Sequence, residues 1–177
     1  FPFATLIVNL IACFAAGMIM PLALNEVLYL TLTVGFLGGF STLATMNHLI
    51  LPGRALFICD THVNEDPSAE QLAEIAVMAA EEVRRFGIEP KVALLSHSNF
   101  GSHDSKDALK MRQVREALLK RNPRLNVDGE MQGDTAWDEA LREKLLPNST
   151  LKGRANLFVL PNLEAANIAY NLVRVFT

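Results

Sequence analysis

Leu51-Pro52-Gly53-Arg54 is the point at which the chain changes character. Ahead of it Glu26 is the only charged side chain; from Arg54 onward lie all the others among the 16 basic and 19 acidic residues. One water-facing core does not account for both compositions. The sequence therefore predicts two units in different solvents, residues 1–53 and 54–177, meeting at a Pro-Gly turn that interrupts helix and strand alike.

On the near side, residues 1–25 and 27–53 carry no charge, and each run exceeds the roughly 20 residues that a helix needs to cross a bilayer core. They read as an antiparallel transmembrane hairpin with Glu26 in its turn. The bias of positive charge toward the cytoplasmic side then sets residues 1–53 in the inner (cell) membrane and residues 54–177 in the cytoplasm, with Arg54 as the marker. Three glycines and three hydroxyl residues between Gly35 and Thr45 weaken a helix. Two readings stay open for them: an ion site on freed carbonyls, or close helix packing through small residues. Asn9 either bridges helices or donates to an anion.

On the far side, apolar runs of strand length alternate with amphipathic helices. Residues 55–59, 92–95, 125–128 and 156–160 read as strands, and helices are expected over 68–86, 108–119, 135–145 and 163–175. Ser68 with Gln71 makes a capping box at the start of the first helix, and Gly87 stops it. This alternation predicts an α/β fold with a mostly parallel sheet and helices on both faces. Ligands bind such sheets at the carboxyl edge of the strands, which directs attention to residues 60–65, 96–105, 129–134 and 161–167.

Among these, Ser96-His97-Ser98-Asn99-Phe100-Gly101-Ser102 is the most informative. Hydroxyls and a glycine between a buried strand and a helix start can offer donors to a phosphate or carboxylate, and a solvated Ser-rich turn is the alternative. Asp60, His62, Glu65 and Asp66 read as loop polar groups in preference to a metal cluster. His97 and His103 have no spacing that tests a catalytic triad. Cys59 reads as a small core hydrophobe, and Trp137 as a helix-to-sheet anchor. A net charge of −3 without basic runs gives no reason to expect nucleic acid.

Two families are resembled. Thr5-Leu6-Ile7-Val8-Asn9-Leu10-Ile11 and Gly35-Phe36-Leu37-Gly38-Gly39-Phe40-Ser41-Thr42 resemble the second and third transmembrane helices of the small bacterial fluoride channels. That resemblance implies a fluoride path along Asn9, Thr42 and Thr45, and a backbone sodium site at Gly38 and Ser41. Leu43-Ala44-Thr45-Met46 lacks the family's two phenylalanines, and its first and fourth helices are absent. A partner subunit would have to supply them.

Residues 56–175 resemble the phosphotransacetylase-like C-terminal domain of bacterial NADP-dependent malic enzymes. The strings that carry this are Cys59-Asp60-Thr61-His62-Val63-Asn64, Asp66 to Ile75, Ser96 to Ser102, Lys110-Met111-Arg112, Asp128-Gly129-Glu130-Met131 and Asn162 to Leu172. The resemblance implies an acetyl-CoA-sensing, oligomerising domain. Its acyl-CoA and phosphate side would be lined by Ser96, Ser98, Asn99, Gly101 and Ser102, with Asn162, Asn167 and Tyr170 nearby. The part that decarboxylates malate with NADP and a divalent metal is missing, as is the transacetylase segment after the last helix. Recognition without catalysis is therefore expected from a chimera-like chain, with a homo-oligomer formed through the α/β domain. A fluoride channel subunit carrying an extra cytoplasmic domain is the alternative.

Overall fold

Two strands open the described chain: β1 (Met46–Leu51) and β2 (Arg54–Cys59) run antiparallel, with Leu51 opposite Arg54 and Met46 opposite Cys59. The computed structural model describes residues 46–51 and 54–175, which lie within one compact unit, Met46–Thr177. This corrects the first expectation. The apolar run that ends at Gly53 finishes as a sheet strand, and its backbone groups pair with β2 across a ladder where a membrane helix would pair them along its own axis. Among the described residues no helix is long and apolar enough to cross a membrane. The remainder of the expected hairpin, with Asn9, Gly38, Ser41, Thr42 and Thr45, lies outside the described residues.

After β2 the alternation follows the expected order. Helix α1 (Ala69–Arg85) begins at Ser68, whose Oγ accepts from the Gln71 N–H at 3.3 Å while Gln71 Oε1 accepts from the Ser68 N–H at 2.9 Å. It is followed by β3 (Lys91–Leu95), α2 (Lys106–Arg121) and β4 (Asn126–Met131). The single helix expected over residues 135–145 is two, α3 (Gly133–Trp137) and α4 (Glu139–Leu145). Asp138 separates them: its φ/ψ of −101/108 is extended, and its carboxylate accepts from the Ala140 and Leu141 N–H groups. β5 (Leu157–Val159) and α5 (Leu163–Val175) complete the order.

The sheet order is β1-β2-β5-β3-β4, with β2, β5, β3 and β4 parallel. Side chains alternate across it. Phe57, Cys59, Val92, Leu94, Leu157 and Val159 meet α1 and α2 on one face; Leu56, Ile58, Ala93 and Phe158 meet α3, α5 and the segment after α4 on the other. The connections from β2 to β3 and from β3 to β4 advance across the sheet beneath one helical layer, while that from β4 to β5 returns beneath the other. Crossovers of a single hand require this arrangement. Trp137 holds α3 on the sheet, its ring edge-on to Phe158 at 6.5 Å.

Candidate functional site

The carboxyl ends of β2, β3, β4 and β5 bring together the loops at residues 60–68, 96–105 and 160–162 and the start of α3. Burial keeps Cys59, the last residue of β2, out of the chemistry, because it pushes the thiol's pKa up and removes the thiolate.

The next residue, Asp60, is buried with φ +54. Its carboxylate accepts from the Val63 and Asn64 N–H groups, both at 3.2 Å, and from Asn64 Nδ2 at 2.7 Å. Burial raises its pKa, and these bonds oppose the rise. Asp66 is exposed but paired with both Lys106 Nζ at 2.8 Å and Lys110 Nζ at 2.6 Å, which hold its pKa down to about 2. It ties the loop after β2 to the first turn of α2. Among the described residues no group of three His, Cys, Asp or Glu is placed to hold a metal.

The Ser96–Ser102 loop closes on a carboxylate from β4. Glu130 is 1 % exposed. Its Oε1 accepts from Ser98 Oγ and from the Gly101 N–H, both at 2.8 Å, and its Oε2 accepts from Arg112 Nε at 3.0 Å. Burial disfavours its charge, yet these three donors outweigh burial and hold the pKa below the usual carboxylate range. Phe100 at φ +44 and Gly101 at φ +88 are successive left-handed residues, and the turn sets the Gly101 N–H on the Glu130 carboxylate and the Phe100 N–H on the Glu130 backbone carbonyl at 2.9 Å. Within the loop, Ser102 Oγ accepts from the Asn99 N–H at 2.9 Å, and Asn99 Oδ1 accepts from the Gln132 N–H at 2.8 Å.

Two positions earlier on β4, Asp128 repeats the pattern. It is 1 % exposed and accepts from Arg115 Nε and Ser149 Oγ, both at 2.9 Å. Glu130 is the extra residue where the pairing of β4 with β3 shifts, Leu94 standing opposite Gly129 and Leu95 opposite Met131, and both carboxylates reach α2, whose Arg112 and Arg115 share one helix face because they are three apart. A cleft of about 490 Å³ opens beside them, lined by Phe100, Gly101, Arg112, Arg115 and Glu130 among others.

The eight residues expected to line a ligand therefore fall into two groups. Ser96, Ser98, Asn99, Gly101 and Ser102 surround Glu130. Asn162, Asn167 and Tyr170 stand at α5, beside a second cleft of about 490 Å³ that Thr61, His62, Glu65 and Asn167 help to line. Asn167 Nδ2 donates to the Thr61 carbonyl at 3.0 Å, and Tyr170 meets the His62 ring edge-on at 6.1 Å. A polar relay joins α5 to α2, with Asn162 Nδ2 donating to Asp107 at 3.2 Å. Sequence reasoning passed over Glu130, Asp128, Arg112 and Arg115 as site residues. The signal present was Arg-x-x-Arg at helix spacing; where Asp128 and Glu130 point was not legible, because the register of β4 shifts at Glu130.

The model of the phosphate acetyl/butaryl transferase family matches residues 26–177. Over 141 residues the chain is 61 % identical to the NADP-dependent malic enzyme of Salmonella typhimurium, covering 80 % of this chain and 19 % of that protein. It is 40 % identical to the phosphate acetyltransferase of Synechocystis over 136 residues, 77 % of this chain and 20 % of that one. Among solved structures, a phosphotransacetylase from Streptococcus pyogenes aligns with a TM-score of 0.69 at 37 % identity, covering 75 % of this chain and 40 % of that chain.

The chain thus spans about a fifth of the length of the malic enzyme it matches. The family match begins at residue 26, so it runs through the segment 27–53 that was expected to be a second membrane span. Together with the strand at Met46–Leu51, that removes the inner-membrane placement of residues 1–53 and the cytoplasmic assignment that hung on it. None of these likenesses supports a channel segment. By the extent of its match, and by the likeness of its sheet to solved phosphotransacetylases, the chain belongs to the phosphate acetyl/butaryl transferase family.

Proposed function

We propose that this chain is the phosphotransacetylase-like portion of an NADP-dependent malic enzyme, which recognises an acyl-CoA such as acetyl-CoA at the carboxyl edge of its sheet and does not turn it over. Oxidative decarboxylation of malate, with NADP and a divalent metal, would belong to the whole enzyme. The chain's identity of 61 % to a malic enzyme, against 40 % to a phosphate acetyltransferase, favours the first kind of parent.

The observation that carries the absence of turnover is the commitment of the loop's donors. Acyl transfer between coenzyme A and phosphate needs donors free to hold the phosphate. Here Ser98 Oγ, the Gly101 N–H and Arg112 Nε all serve Glu130. Recognition falls to Ser96, Asn99 and Ser102 on one side and to Asn162, Asn167 and Tyr170 on the other, beside the cleft at Thr61 and His62. Association with a second copy falls to the outer face of α5, where Ile168, Leu172 and Val175 are exposed.

The test uses the full chain. Acetyl-CoA should raise its thermal midpoint in the concentration-dependent way that a ligand of the native state requires, while acetyl-CoA with phosphate should release no thiol. An unmoved midpoint would sink the recognition; thiol release by the chain alone would sink the claim that it does not catalyse.

A further inference from the structure

We propose that His97 and His103, which bracket residues 98–102, form a two-imidazole site for a divalent transition-metal ion of the zinc class, with solvent completing the coordination. A bound ion joins the two ends of that loop. The proposal does not depend on what the loop or the clefts recognise.

The separation of the two rings carries it. Their centroids lie 4.9 Å apart, with the ring planes at 61°. A zinc–nitrogen bond is about 2.0–2.1 Å long and the centre of an imidazole lies about 1.1 Å behind its nitrogen, so two rings sharing one ion at angles of about 90–110° have centroids about 4.5–5.2 Å apart. The observed spacing falls inside that range. Both residues are exposed, and among the described residues neither ring makes a hydrogen bond or an ion pair. Rotation about the side-chain torsions therefore turns a nitrogen of each ring toward a shared ion without breaking a bond to another group.

The backbone beneath the rings is already fixed. The His97 carbonyl accepts from Gln132 Nε2 at 2.8 Å. His103 gives its N–H to Ser98 Oγ at 3.0 Å, and its carbonyl accepts from Arg112 Nη2 at 2.7 Å. Binding has to order two exposed side chains and no main chain, which keeps its entropic cost small. Arg112 brings a positive charge to this end of the loop, but Asp104 at 2.7 Å and Glu130 at 3.0 Å answer it, so the ion does not meet that charge uncompensated.

The donor type selects the ion. Imidazole suits zinc, copper and nickel, whereas magnesium keeps oxygen ligands and much of its own water. Zinc added to the full chain, in a non-chelating buffer at mildly alkaline pH, should raise the thermal midpoint with a saturable concentration dependence. Magnesium at the same concentration should not. Calorimetric titration should find one such ion per chain. His97→Ala and His103→Ala should each weaken it about tenfold or more, since losing a ligand costs at least what losing a group behind a ligand costs. Because the rings share one ion, the double variant should lose little beyond either single one.

In the presence of a chelator the variants should unfold at the wild-type midpoint, so that a lost zinc response is not a failure to fold; His103→Gln takes the place of a variant that fails this check. Zinc affinity unchanged in the single variants would put the ion elsewhere on the chain and overturn the proposal. An equal response to magnesium, or losses that add in the double variant, would overturn it as well.

Discussion

Gly129 passes so close to β3 that a Cβ built on it would lie 2.6 Å from the Leu94 carbonyl oxygen and 2.8 Å from the Leu94 Cβ. Its φ of +140 is a conformation that side-chain-bearing residues rarely adopt. Both facts concern the residue between the two buried carboxylates, so the separation that lets Asp128 and Glu130 point at their arginines depends on the missing side chain. Gly129→Ala should lower stability by about 2–4 kcal/mol, from backbone strain and overpacking together. Denaturant titration checks this. The midpoint should fall with an unchanged slope, and an unmoved midpoint would mean that the strands part at no cost.

Arg142 is a second point where a single side chain holds several backbone groups. It is 1 % exposed, and its guanidinium donates to the carbonyls of Thr135 at 3.1 Å, Ala136 at 3.2 Å, Leu151 at 3.4 Å and Gly153. These carbonyls come from α3 and from the segment leading to β5, so the side chain closes the layer on which Trp137 rests. Arg142→Met fills similar volume but leaves the carbonyls unpaired in the interior, and should cost about 3–5 kcal/mol. Arg142→Lys should not restore the loss, because one ammonium cannot reproduce the planar fork. Fluorescence of Trp137, the only tryptophan, follows the unfolding.

The strands and helices from residue 55 onward were legible because each carried a local signal that tertiary packing reinforced. The Ser68 and Gln71 box is present as read, and α5 runs from Leu163 to Val175 as expected. β1 was not legible: an uncharged run is consistent with a strand or a span, and only pairing with β2 decides between them. The loop at Ser96–Ser102 was legible as a place where donors gather. The carboxylate those donors meet was not, because Glu130 lies 28 positions beyond Ser102 on another strand and no spacing rule links a loop to a side chain that arrives through the fold. The break at Asp138 was missed because one aspartate inside a run read as a single helix gives no boundary by itself, and its capping geometry shows only in the fold.

Asp60 and Asp66, on the same loop, should respond to acid in opposite directions. Lys106 and Lys110 hold Asp66 at about 2, below the ordinary carboxylate value. The unfolded chain therefore binds this proton first as pH falls, and the stability Asp66 contributes is present above about pH 4 and lost on the way to about pH 2. Burial raises Asp60, so the folded chain binds that proton first, and acidification from neutrality favours folding at this site. Urea midpoints measured from neutral to acid pH should show a shallower acid loss in Asp66→Asn than in wild type. Asp60→Asn should lose the part of the curve that improves on mild acidification. Parallel curves for all three proteins would contradict both assignments.

Helix α5 presents Ile168, Leu172 and Val175 at 59, 59 and 78 % exposure, spaced so that they fall on one face. An apolar stripe of this kind, on a helix whose other side rests against the sheet through Ala166, suits a second copy of the same surface brought face to face. Because these side chains touch little within the chain, Ile168→Glu and Leu172→Glu should each change the unfolding free energy by no more than about 0.5 kcal/mol. Their effect should appear in association, where a charge at the centre of an apolar contact weakens it about tenfold or more. Sedimentation of wild type over a concentration series should show a dimer that both variants dissociate. A wild-type monomer, or variants that dimerise as well as wild type, would assign the stripe another neighbour.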